Sequence, residues 1–334
     1  MTNGTSQGLF VIVAVVIFGI FVLIAYVLFR DKLSTGLADI FDDATIQTDK
    51  ALVAEGTDTG EGTDKDNGTD KDNLKDNLKE VGDTAYFNIR DNVWVLVERL
   101  NDTDVSIKDS GVTDNFEYNS QGVGLGDDKD LIIPSQIFGY NVISVAESAF
   151  SFATFTGGFS GASIVDFEAN SFKNSSFTGD FNAPSALNIK NFAFSNAKFD
   201  GVFNAPEVET VMDEAFTNSL FTGDFNASNI TFIGSFAFYS AKFDGTFTAP
   251  KVGTVGAKAF DSAKFTGDFI TPKLNTISYN AFGSSIFDGI FDAPEVAEIG
   301  YGAFWNSKFT SATATPKLKT LGNNNGTLNS LLSI

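Results

Sequence analysis

Apolar and polar positions follow three different rules along this 334-residue chain. From Leu9 to Phe29 the run is apolar and carries no charge. At ~1.5 Å per residue it is long enough to cross a hydrocarbon layer of ~30 Å, which predicts a transmembrane helix over 9–29 behind a short flank, 1–8. Leu33, Leu37, Ile40, Phe41 and Ala44 then recur at helical spacing and predict an amphipathic helical stem over 30–54. Residues 55–83 hold ten Asp or Glu against four Lys, with Gly-Thr-Asp-Lys-Asp-Asn twice in tandem at 62–67 and 68–73. Such a stretch cannot bury enough apolar area to order itself and predicts a solvated, disordered linker.

The third rule is a period. Phe150, Phe172, Phe194, Phe216, Phe238, Phe260, Phe282 and Phe304 stand 22 residues apart. A second Phe follows each by five residues, from Phe155 to Phe309, and a third follows by nine in every repeat but the last. A fixed period of this size is the mark of a solenoid, whose coils are each too small to bury their own apolar face. In the repeat from Phe199 to Phe216, Phe199, Gly201, Phe203 and Ala205 alternate with Asp200, Val202 and Asn204, the period of a strand with one face in the core. Pro206 ends that strand. Val208, Val211, Ala215 and Phe216 fall at helix-like spacing and predict short turns of helix or 3₁₀ on the return. The glycine between the two Phe is read as leaving room for their rings. The fold expected is a β-rich α/β solenoid: a right-handed, leucine-rich-repeat-like coil with 22-residue repeats and one parallel sheet over 131–321, followed by a tail, 322–334. Thr84 to Leu100 reads as a hairpin around Arg90-Asp91-Asn92, the core of an N-terminal β cap over 84–130.

Composition narrows the function. The chain has no His and no Cys, which removes the common zinc ligands, the thiol nucleophile and the usual general base, so no enzyme activity and no cofactor are expected. A net charge of −20 without a basic patch argues against nucleic acid. Asp64, Asp66 and Gly68 start like a calcium loop, but the glycine comes one residue early and no closing Glu follows. The apolar N-terminal run lacks a basic segment before it and a small-residue cleavage site after it, which favours a retained anchor over a cleaved signal peptide. Arg30 and Lys32 bias the repeats towards the cytoplasm, though two charges are a small bias and long C-terminal domains translocate regardless of it. The expectation is a single-pass protein of the cell membrane with its repeats outside.

Leu131-Ile132-Ile133-Pro134-Ser135, Gly139 to Val145 and Ala149-Phe150, with the Ala-Phe pair returning at Phe194, Phe216, Phe238, Phe260, Phe282 and Phe304, resemble the repeats of BspA-type leucine-rich repeat proteins over roughly 84–321. The resemblance implies a solenoid on a microbial surface, with adhesion and binding of host or matrix proteins. This chain departs from the family in its Phe-x-Gly-x-Phe strand, in lacking the Cys that often follows the Ala-Phe pair, and in carrying its anchor at the N-terminus.

A slower alternation is written over the period. Phe-Thr-Gly-Asp-Phe at 177, 221 and 265 alternates with Phe-Asp-Gly-x-Phe at 199, 243 and 287, so the duplicated unit is 44 residues. It places Asp180, Asp224 and Asp268 in one outward column and Asp200, Asp244 and Asp288 in another. With one Asp on each rung, alternation roughly doubles the spacing of like charges within each column, and solubility alone accounts for such a pattern. The sharper reading is a strip that binds calcium or a basic partner, with Thr178, Asn182, Asn204, Thr222 and Asn226 beside it. The function expected is a membrane-anchored surface module that binds a protein or glycan on the exposed sheet face. The alternative is a pilin-like filament subunit assembled through the N-terminal helix.

Overall fold

The computed structural model describes residues 77–90, 93–111, 130–309 and 320–321. The apolar segment, the stem and the linker up to residue 76 lie outside the described residues, as do most of the segment after 309. Among the described residues no helix is long and apolar enough to cross a membrane.

The chain enters through three antiparallel strands: β1 (Thr84–Arg90), β2 (Val93–Arg99) and β3 (Asp104–Gly111). The expected hairpin is therefore present, joined by a third strand that the sequence reading missed. Along β2, Val93, Val95 and Val97 are buried and alternate with half-exposed positions, as a strand with one face on a core requires. Order begins before the expected end of the linker. Leu78 is buried, and its carbonyl accepts from the Tyr140 hydroxyl at 3.3 Å. β3 then pairs in parallel with the strand Tyr140–Val145, which converts an antiparallel cap into the first rung of the parallel array.

Each coil that follows has three sides. In the coil through Phe199, Lys198–Phe199, Phe203–Asn204 and Thr210–Val211 are two-residue strands, each in a different sheet. Every strand pairs in parallel with its equivalent 22 residues away, so Phe199 lies beside Phe221, Asn204 beside Asn226 and Thr210 beside Phe232. Among the described residues two eight-stranded sheets and one thirteen-stranded sheet result, the last also holding the cap. Here the structure corrects the single sheet and the α/β class. The stretch read as one strand from Phe199 to Ala205 bends at Asp200–Gly201, and there is no α-helix among the described residues.

The return after Val211 also has its own geometry. Ala215, Thr217 and Ser219 donate to Met212, Glu214 and Phe216, giving overlapping turns, while Glu214, Phe216 and Asn218 donate to the next coil. Glu214 and Asn218 have φ of 60° and 59°, and the same two places are left-handed in coil after coil. A positive φ at the third residue of a turn is what a type II turn demands, and Asn tolerates it, as at Asn170, Asn174 and Asn196. A helix cannot pass through left-handed residues four apart, so the helical spacing of Val208, Val211, Ala215 and Phe216 reflects burial alone.

The Phe columns face inward as expected. Phe199, Phe203, Phe216 and Phe221 have no exposed surface. Rings stack along each column, Phe199 on Phe221 at 5.0 Å and Phe216 on Phe238 at 5.0 Å, and meet edge to face between columns, Phe199 with Phe203 at 5.2 Å and 82°. Both are the arrangements that the ring quadrupole favours.

Candidate functional site

The bend at Asp200–Gly201 builds the acidic strip. Before it, Lys198 and Asp200 donate their N–H groups to the preceding coil, at Ser175 and Phe177. After it, Phe203 and Ala205 donate to the next coil, at Asp224 and Asn226. The N–H of Val202, turned back between the two, is taken by the Asp180 carboxylate at 2.8 Å. Two coils on, Asp224 accepts from Thr246 N–H, and two further Asp268 accepts from Ile290 N–H, both at 2.8 Å. The other column bridges the intervening interfaces. Asp200 receives the Thr222 hydroxyl, at 2.9 Å on its carbonyl and 3.4 Å on its carboxylate, and Asp244 receives the Thr266 hydroxyl at 3.0 Å. Every interface from the Asp180 coil to the Ile290 coil thus carries one of these contacts. The 44-residue alternation is a hydrogen-bonding pattern between coils before it is anything else.

The remaining expected residues are drawn into the same lattice. Asn204 donates its amide to Asn182 at 2.8 Å, and Asn226 is its ladder partner on the next coil. The Thr178 hydroxyl donates to the Thr156 carbonyl. The strip is also less acidic than the Asp positions alone suggest. Lys198 sits 2.8 Å from Asp200, and Lys264 sits 3.6 Å from Asp288 on the neighbouring coil. These lysines directly precede the second Phe of their repeats, a signal present in the sequence at Lys198, Lys242, Lys264 and Lys308. Among the described residues no three carboxylates come together in a way that could hold a metal ion.

The glycine of each bend has a different reason from the one expected. A Cβ on Gly223 would stand 2.3 Å from the Gly201 carbonyl oxygen and 2.5 Å from its carbon. The column from Gly179 to Gly289 repeats this, so backbone lies on backbone and the Phe rings are not the obstacle.

Sequence reasoning missed the exposed aromatics altogether. Phe232, Tyr279, Tyr301 and Trp305 are each about half exposed, and Tyr279 stacks on Tyr301 at 6.0 Å. They lie outside the three Phe columns, and that departure from the period was the available signal.

Three sheets wound around an aromatic core, with one hydrogen-bonded rung per coil on the outside, define a β-solenoid repeat protein. The family model of the BspA type leucine rich repeat region matches residues 131–222 and 209–325, in six copies. The chain belongs to that family. Among solved structures it is similar to a leucine-rich repeat protein from Bacteroides ovatus ATCC 8483, with 12% identity and a TM-score of 0.43. The likeness covers 72% of this chain and 66% of that one, just under two thirds of its length. No curated protein matches the sequence.

Proposed function

We propose that the solenoid is a binding module of the cell surface, adhesive in action, held to the membrane by residues 9–29 and kept clear of it by the acidic linker. The observation that supports this reading is the registration of the outer side chains. Equivalent residues stand on successive rungs at the strand spacing of ~4.8 Å, which gives an extended partner the same contact many times over. A binder that engages through repeated weak contacts suits a repeat family, and a net charge of −20 favours a basic protein partner. Calcium is the weaker ligand for the strip, because each Asp stands on its own rung and Asp180, Asp200, Asp224, Asp244 and Asp268 already receive a donor from the next coil.

Two measurements test this. Protease treatment of intact cells is expected to release the repeats before lysis; repeats that survive until lysis would remove the surface reading. The Asp180→Asn, Asp224→Asn, Asp268→Asn variant keeps an oxygen acceptor for each N–H and deletes three charges. It is expected to melt as the wild type does and to lose retention of a basic probe, polylysine, at low salt; unchanged retention would remove the strip as a site.

A further inference from the structure

One stretch of the largest sheet differs from the rest of the molecule. Residues 231–235, 253–257 and 275–279 occupy the same place in three consecutive coils and contain no charged residue. Elsewhere in the array these five positions carry charge, at Glu147, Asp166 and Glu168, Lys190, Glu209 and Asp213, and Glu298. Phe232, Thr254 and Thr276 are direct neighbours across this sheet. Phe232 is 44% exposed on one side, and on the other Tyr279 is 49% exposed and stacked on Tyr301. On the middle coil, one residue before Thr254, stands Gly253, for which the fold supplies no reason. Its φ is not left-handed, and a Cβ there would meet nothing nearer than the Thr231 carbonyl at 3.9 Å. Equivalent positions hold Leu187, Glu209 and Asn275. A glycine that packing does not require leaves backbone open to close approach from outside.

We infer that this floor, bounded by Phe232 and Tyr279 and kept open by Gly253, binds an uncharged oligosaccharide. The reasoning is one of complementarity. In a chain of net charge −20, three adjacent coils that carry no charged residue at these five positions, with Lys251, Lys258 and Lys273 at the margins, disfavour a partner held by ion pairs across the floor itself. Half-exposed aromatic rings offer flat apolar faces, which match the C–H faces of a pyranose, and the Thr254 and Thr276 hydroxyls match its hydroxyls. The floor lies on a different sheet from the Asp strip and rests on the reading of the solenoid as a binding module.

The test is affinity electrophoresis of the full chain in gels containing mannan, laminarin, dextran or soluble xylan, with alginate as the charged control. The expected result is retardation by at least one neutral glycan and none by alginate. Gly253→Glu restores the side chain of Glu209 at a place with room for it, and is expected to weaken the retardation at least tenfold without moving the melting point; Tyr279→Ala is expected to do the same. Retardation by none of the neutral glycans, or retardation that both variants leave intact, overturns the inference. Either failure leaves the binding-module reading standing if polylysine retention still depends on the three Asp residues.

Discussion

Replacing Gly223 with Ala isolates what holds the coils at their spacing. The new Cβ would stand 2.3 Å from the Gly201 carbonyl oxygen, where ordinary contact begins at 3.4 Å, so the coils must part locally by about 1 Å. The hydrogen bonds flanking the bend, Thr222 N–H to Phe199 at 2.9 Å and Phe203 N–H to Asp224 at 2.9 Å, cannot survive that stretch. Two lost bonds at ~1 kcal/mol each, added to overpacking strain of ~1–3 kcal/mol, predict a loss of about 3–5 kcal/mol. Gly253→Ala is the internal control. Its Cβ would make only an ordinary contact, 3.9 Å from the Thr231 carbonyl oxygen, and it should be neutral or stabilising by ~0.4–1 kcal/mol through the unfolded chain. Guanidinium unfolding followed by far-ultraviolet circular dichroism measures both. Equal stabilities for the two variants would refute the backbone-contact argument. So would rescue of Gly223→Ala by Phe225→Leu, because a smaller ring helps only if ring volume were the obstacle.

Three further outcomes follow from the same geometry. Phe221→Ala removes a fully buried ring from the core and should cost ~3–5 kcal/mol in the same assay; a loss below ~1 kcal/mol would mean that the ring is not in the core. Asp224→Ala leaves the Thr246 N–H without its acceptor and should lose ~1 kcal/mol, whereas Asp224→Asn should keep most of it, and equal losses would show that charge and not the hydrogen bond matters. Asp104, at the junction of cap and array, accepts from Asn101 at 2.9 Å and from Asn141 at 3.0 Å, and these bonds hold its carboxyl below the usual range. A carboxylate lowered in the folded state stabilises above its unfolded value, ~3.9, and that contribution is lost as the pH falls through the lowered one. The melting points of the wild type and Asp104→Asn should therefore converge as the pH falls from ~5 through the lowered value; a constant difference would contradict the sign.

The sequence made the period, the inward Phe columns and the start of the array near Leu131 legible, because burial repeats wherever a coil repeats. It did not make the three sheets legible. Phe199, Gly201, Phe203 and Ala205 alternate as one strand would, and nothing in that alternation reports that Gly201 bends the chain into a second sheet. The turns after Val211 were masked in the same way, since Val208, Val211, Ala215 and Phe216 all point inward and mimic a helical face. The Asn residues at 170, 174, 196 and 218 were the clue to left-handed backbone. The Asp alternation was visible as a pattern, yet its donors, the N–H groups of Val202, Thr246 and Ile290, belong to the neighbouring coil and leave no trace in side-chain identity.

The central claim is that every position of a coil meets its equivalent 22 residues on, along all three sides. The chain has no Cys, so engineered pairs report on this directly. Asn188→Cys with Thr210→Cys, Lys198→Cys with Leu220→Cys, and Asn204→Cys with Asn226→Cys place one pair on each sheet. Parallel strands bring Cα atoms to ~4.8 Å, within disulfide reach. All three pairs should oxidise rapidly, and the control pair Asn188→Cys with Asn204→Cys, on different sheets, should stay reduced. Failure of the Asn188 and Thr210 pair while the other two close would contradict the three-sheet coil and restore an irregular or helical return.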